Sequence, residues 1–326
     1  MQVHLTFDYE LFFGTDSGTA EKCILEPTEF LLGLCEKYGV PMTFFVDAGY
    51  LFALQRQQDE PVLVETLERI SRQMCRMTDL GCQIGLHIHP HWEQSFYKEG
   101  KWDIRTGNAY KLSDFPDDEA NAIVEKYYAV LKETSGVQPK VYRAGGWCIQ
   151  PFSQVAATMK KLGILVDSTV FPGGKFSSEH YSFDFSAIPL FSDAYRFNDD
   201  ECIPDKNGDF LEVPIASWRY DPLFYWQLYG WGRIAPSRHK MVGDGLFLAQ
   251  PGRKKSVLTS FTDNHVSSDG YYAKLLQRQA KAYERKNVEH FVVIGHPKSM
   301  TKFSMRKLEQ FIAGNRARYQ FTRLPE

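Results

Sequence analysis

Three histidines fall within five residues in the segment QIGLHIHPHWE, at positions 87, 89 and 91. If the chain turns into a helix as it leaves a strand there, His87 and His91, four apart, share one face. Neutral imidazole is a good donor to zinc and similar ions, so such a pair is a metal-ligand arrangement. If the strand continues instead, all three imidazoles lie on one face, although Pro90 shortens any strand running through it. One histidine in a loop is usually structural. Three in five residues at a strand end point to metal.

The segment LTFDYELFFG adds two carboxylates. At the end of a strand, Asp8 and Glu10 face one side and Tyr9 the other. One carboxylate as metal ligand and one as general base suit the attack of water on a carbonyl. In VYRAGGW, Arg143 is able to hold a carboxylate through a two-pronged contact. Gly145 and Gly146 leave backbone N–H groups open to a developing oxyanion. Asp167 in LGILVDSTVFP and His296 in VVIGHPKSM lie far along the chain. A histidine ending the last strand could protonate a leaving amine, with a nearby carboxylate raising its pKa.

The elements that must position these groups alternate between strand and helix, the sign of a parallel α/β sheet or barrel. Strands are expected at 3–8, 41–46, 82–87, 140–143, 164–167, 210–214 and 291–296. Helices are expected at 27–38, 62–80, 117–135, 152–162, 271–286 and 305–317, several of them stopped by a glycine. In parallel barrels, catalytic groups sit at the carboxyl ends of the strands, so Asp8, His87, Arg143, Asp167 and His296 are expected to share one rim. Two stretches, about 92–115 and 169–269, are too long for ordinary connections and read as rim insertions in a single domain spanning 1–326.

A formal net charge of −2 over 326 residues, with 43% hydrophobic and 24% charged residues, describes a globular chain able to bury a core. Nothing in that balance argues for nucleic acid, for which a basic face is expected. No apolar run approaches the length of a membrane span. The opening MQVHLTFDYELFF has no signal-peptide pattern, so the expected location is cytoplasmic, extending to the inner face of the membrane. Residues 218–231 place seven aromatics in fourteen positions. Such a run suits a platform for sugar rings, a surface that meets lipid-linked sugar at a membrane, or the packing of an insertion onto the barrel.

In this order, the motifs resemble those of the NodB-type polysaccharide deacetylases. LTFDYE is similar to that family's first motif, KYGVPMTFFV to its second-strand segment, and QIGLHIHPH to its histidine motif. YRAGG, DST and IGHP resemble its arginine, later aspartate and final histidine motifs. The resemblance runs from Leu5 to about Pro297, leaving most of 169–269 unmatched. It implies a distorted seven-stranded parallel (β/α) barrel with long rim insertions, and removal of an N-acetyl group from a sugar.

The family pattern makes His87 and His91 metal ligands, Asp8 the base and His296 the acid. Arg143 then orients Asp8, Gly146 offers its N–H to the oxyanion, and Asp167 joins the catalytic set. The family usually has two consecutive acids after TF. Here Tyr9 takes the second place, which passes the ligand role to Glu10 and leaves open whether Asp8 or Glu10 touches the metal. The arginine motif also departs, carrying Gly145 and Gly146 in place of a proline and an aromatic. Zinc is the expected ion; cobalt, nickel, manganese or iron suit the same ligands.

The expected partner is an acetamido sugar or glycan precursor, lipid-linked or nucleotide-linked, in surface polysaccharide synthesis of the lipopolysaccharide kind. Trp147, Trp218 and Tyr220 are the expected substrate contacts. A small-molecule amidohydrolase of the allantoinase-like type and a catalytically inactive glycan-binding homologue are the alternatives.

Overall fold

The computed structural model describes residues 1–178, 181–249 and 252–326. Its central sheet comprises β1 (Gln2–Tyr9), β2 (Thr43–Asp47), β3 (Gln83–Ile88), β4 (Val141–Ala144), β5 (Val166–Asp167), β6 (Tyr195–Phe197), β7 (Phe210–Glu212), β8 (His290–Gly295) and β9 (Gln320–Phe321). The order across the sheet is β6-β7-β5-β4-β3-β2-β1-β8, with β9 paired to β1. Every pairing is parallel except that of β6 with β7. Ile215, just beyond β7, bridges Val292 of β8 in parallel, and the Ala216 amide donates to the Val292 carbonyl at 2.9 Å. The sheet therefore curls until its two sides meet. Among the described residues it holds nine strands where the sequence pattern predicts seven; β6 and β9 are the additions.

Among the described residues, ten α-helices accompany it: α1 (Glu26–Tyr38), α2 (Ala48–Arg56), α3 (Pro61–Asp79), α4 (Asp117–Ser135), α5 (Ala156–Leu162), α6 (Pro222–Ile234), α7 (Pro236–His239), α8 (Arg253–Thr259), α9 (Leu276–Arg285) and α10 (Lys302–Asn315). Parallel strands covered on both faces read as continuous apolar runs, and β1, β2 and β3 are buried along almost their whole length. α1 ends where Gly39 takes φ 64°, a left-handed cap that suits glycine. α2 has no counterpart in the sequence pattern because Ala48, Gly49, Tyr50, Leu51, Ala53 and Leu54 are all buried, which erases the amphipathic stripe.

The stretch 92–115 carries a small hairpin, Phe96–Lys98 with Lys101–Asp103. The stretch 169–269 carries a second hairpin, β6, β7, an antiparallel ribbon (Ser217–Tyr220 with Thr262–His265) and α6 to α8. Residues 179–180 and 250–251 of that stretch lie outside the described residues. Among the described residues, no helix is long and apolar enough to cross a membrane.

Candidate active site

Parallel strands deliver their carboxyl ends to one edge, and Asp8, His87, Arg143 and His296 stand at the ends of β1, β3, β4 and β8. The register sets His87 opposite both Asp47 of β2 and Arg143 of β4. Alternation along β1 turns Tyr9 away, where its buried hydroxyl donates to Gln73 Oε1 at 2.9 Å on α3. Asp8 and Glu10 are left facing the rim.

Arg143 is wholly buried and donates from all three of its side-chain nitrogens on this edge. Nη1 donates to Asp8 Oδ1 at 2.7 Å, Nη2 to Thr6 Oγ1 at 2.9 Å, and Nε to the Ser168 carbonyl at 2.7 Å. A buried guanidinium with its partners in place fixes a carboxylate in one orientation.

Three atoms able to ligate a metal converge beside Asp8. Glu10 Oε2 lies 3.1 Å from His87 Nε2 and 2.6 Å from His89 Nε2, and the two imidazole nitrogens are 3.2 Å apart. His87 Nδ1 is 2.8 Å from the Arg143 carbonyl, which only accepts, so the Nδ1 proton is committed there. In a neutral His87, the Nε2 lone pair then points into the cluster. Two imidazole nitrogens and one carboxylate oxygen, with a carbonyl fixing the tautomer of one imidazole, make a donor set that fits zinc or a similar divalent cation. Burial alone would raise the Glu10 pKa. The charges of Lys298 and His89, with hydrogen bonds from both histidines, hold the carboxyl well below its usual range. Burial likewise opposes a charge on His87, but Asp8 and Glu10 outweigh it and raise the His87 pKa.

In this candidate trio His89 stands where His91 was expected. β3 runs to Ile88, and His89 is still extended at φ −114°, ψ 99°, so no helix begins at His87 and the i, i+4 pair does not form. His87 and His89, two apart, share a face instead. Pro90 then opens a single turn, Pro90–Glu93, that carries His91 out of line. The His91 ring lies against Phe13 (centroids 4.6 Å) and Trp92 (5.1 Å), and neither ring nitrogen has a hydrogen-bond partner. Burial, then the neighbouring His89, pushes its pKa well down.

Close neighbours account for the two glycines of the arginine motif. A Cβ on Gly145 would stand 2.6 Å from His89 Cε1 and Nδ1, and one on Gly146 would stand 2.6 Å from the Tyr110 hydroxyl. Gly146 takes φ 59°, a conformation costly for any other residue. The bare backbone thus lies directly against the imidazole.

His296 completes the edge. Its Nδ1 is 2.7 Å from Asp269 Oδ2, and its backbone N–H donates to Asp269 Oδ1 at 2.8 Å. Nε2 faces the cluster, 3.6 Å from Asp8 Oδ2 and 3.8 Å from Glu10 Oε1. Burial disfavours the imidazolium, but Asp269, then Asp8 and Glu10, outweigh it and raise the pKa. The carboxylate beside His296 is therefore Asp269, not Asp167. β5 is only two residues long, and Asp167 bends back to accept from the Thr169 hydroxyl at 2.7 Å and the Thr169 amide at 3.1 Å. Burial raises its pKa.

Lys298, two residues beyond His296, is a buried cation that no motif announced. Its ammonium donates to Glu10 Oε1 at 2.8 Å and to the Leu11 carbonyl at 2.5 Å, over the rings of Phe12 and Phe13. His265 likewise escaped notice. It stacks on Trp147 at 5.1 Å, and burial, then the charge of His296, lowers its pKa well below the usual value.

No protein-family model matches the sequence, and the search of curated proteins found no match. Solved structures do match it. A protein from Mycobacterium smegmatis assigned as a polysaccharide deacetylase superimposes over 99% of this chain and 86% of its own, at 18% identity and a TM-score of 0.53. The chain has the NodB-type polysaccharide deacetylase fold. A probable polysaccharide deacetylase from Pseudomonas aeruginosa (11% identity, TM-score 0.48) and the PuuE allantoinase (12%, 0.48) each align over 99% of this chain and 87% of their own.

On this deacetylase fold, the three aromatic substrate candidates separate. Trp147 follows Gly146 and is half-buried, edge-on to Phe171 at 5.4 Å and stacked on His265. Tyr220 is not available to a substrate. It is 1% exposed in a second core with Phe224, Tyr225, Val257 and Tyr271, its hydroxyl donating to the His265 carbonyl and accepting from Gln279, both at 3.0 Å. Trp218 packs edge-on to Phe191 at 6.3 Å, under the Arg278 guanidinium at 5.6 Å. The aromatic run of 218–231 is thus partly a core of its own.

Proposed function

We propose that this chain is a metal-dependent amide hydrolase that removes the N-acetyl group from an acetamido sugar. The observation that carries this reading is the convergence of Glu10, His87 and His89 between two differently supported groups, Asp8 on Arg143 and His296 on Asp269. Glu10, His87 and His89 would hold the ion, zinc by preference among ions that also include cobalt, nickel, manganese and iron. When bound, such an ion polarises the acyl oxygen and makes water acidic enough to attack at neutral pH.

The protein groups divide the remaining work. Asp8, locked by Arg143, takes the proton from the attacking water. His296, kept protonated by Asp269, gives a proton to the departing amine. The Gly146 N–H offers a hydrogen bond to the developing oxyanion. Trp147, beside His265, supplies a flat face for the sugar ring.

We take the substrate to be a glycan precursor, nucleotide-linked or lipid-linked, of surface polysaccharide synthesis at the cytoplasmic side of the membrane. The test is acetate release from N-acetylated sugar nucleotides, lipid-linked acetamido sugars and polymeric chitin, with metal supplied and withdrawn. Asp8→Asn and His296→Ala should each lower kcat by about 100- to 10,000-fold. Release from polymer alone would overturn the precursor assignment. Release unaffected by metal removal would overturn the mechanism.

A further inference from the structure

Seven of the twelve large apolar side chains exposed on the described surface fall within residues 223–261: Leu223, Trp226, Trp231, Ile234, Leu246, Phe247 and Phe261. Four of them lie on α6, a helix with no charged residue before Arg233. Ile234 is 76% exposed and Leu223 63%, so this helix turns apolar bulk outward as well as into the small aromatic core. α8 packs beside it, joined by the Trp226 indole N–H donating to the Leu258 carbonyl at 3.2 Å and by Lys254 over the Tyr229 ring at 5.0 Å.

The charge on these elements is one-sided. Residues 222–240 and 253–260 hold six Lys and Arg (Arg233, Arg238, Lys240, Arg253, Lys254, Lys255) and no Asp or Glu, in a chain whose formal net charge is −2. The segment between them reaches the catalytic edge: Phe247 lies edge-on to Phe12 at 4.8 Å, and Phe12 is one of the rings under Lys298.

We propose that α6 and α8 form a docking surface for an anionic phospholipid bilayer, seating the site mouth at the lipid headgroups. Exposed Trp, Leu and Ile on one helix enter the headgroup–acyl boundary, where indole is favoured, and the lysines and arginines beside them meet the lipid phosphates. Charge chooses the partner: the six cations of these elements outnumber the acids near them, Asp221 at the α6 cap, Asp244 and Asp263, and so complement a negative surface. Attachment of this kind is peripheral and reversible, and it holds whether or not the site deacetylates sugars.

Flotation of the purified full chain with vesicles tests it without reference to activity. Vesicles of phosphatidylglycerol and phosphatidylcholine should carry the protein, with a blue shift of tryptophan emission. Pure phosphatidylcholine or high salt should release it. Lys254→Gln/Lys255→Gln should lower partition roughly thirty-fold, the factor for two lysines at an anionic leaflet. Ile234→Asp, at a position outside any core, should lower it at least tenfold with unchanged circular dichroism. Equal binding to neutral and anionic vesicles, or no binding to either, overturns the proposal. So does a concentration-dependent dimer that abolishes flotation, since a second copy would then cover the surface.

Discussion

Arg143 Nη1 stands 2.7 Å from Asp8 Oδ1, and the two side chains are 0% and 6% exposed. Removing one member of such a pair leaves the other charged and unsolvated. Arg143→Met should therefore cost about 3–5 kcal/mol of unfolding free energy. Arg143→Met/Asp8→Asn should recover part of that loss. Urea unfolding reads both; a cost below about 1 kcal/mol for the single variant would mean that Asp8 reaches solvent or another partner.

The metal trio makes a ranking that separates His89 from His91. Titration of the metal-free protein with zinc should show His87→Ala and His89→Ala each weakening binding by more than about a hundredfold, with His91→Ala changing it by less than about tenfold. The reverse order for His89 and His91 would restore the i, i+4 pair and require the Pro90 turn to rearrange.

Asp269 should set the alkaline limit of activity. A histidine whose folded pKa is raised keeps its proton to higher pH, and catalysis by His296 as acid fails only above that value. Burial lowers this pKa, and Asp269 is the largest influence acting against burial. Asp269→Asn should move the alkaline limb of the kcat profile to lower pH, whereas a merely structural loss would lower the plateau without moving the limb.

Glu201 gives a stability signature unrelated to the site. Burial, with smaller contributions from Asp167 and Asp200, lifts its pKa from 4.5 to about 7. A carboxyl raised on folding binds its proton more tightly in the native state. Its stabilisation is complete below pH 4.5 and is lost as pH rises towards 7, by at most about 3 kcal/mol. Glu201→Gln should flatten that slope and make the protein more stable than its parent above neutrality. Thermal unfolding across pH 4–8 checks the sign; an unchanged slope would assign the proton elsewhere.

Much of the fold was readable because buried parallel strands are apolar runs that halt at a polar residue, and Asp8, His87 and Arg143 mark those halts. Alternation was enough to separate Tyr9 from Asp8 and Glu10. The choice between His89 and His91 turned on whether the chain left its strand one residue earlier or later, which local pattern does not decide. Asp269 lies at the end of a long irregular stretch, so only tertiary structure brings it to His296. Tyr220 was misplaced because an aromatic-rich run looks alike whether its rings face a sugar or each other. Lys298 looked like any surface lysine following a proline.

Lys298 has a consequence for how the proposed metal site would trade an ion. Arg143 answers the charge of Asp8, and Lys298 answers that of Glu10, so the edge is electrically balanced from within. An incoming dication must share Glu10 with an ammonium that is already tethered to Oε1 and to the Leu11 carbonyl. Such a site is a lender rather than a vault: it should release its ion readily to a chelator, recover fully on readdition, and keep its fold throughout.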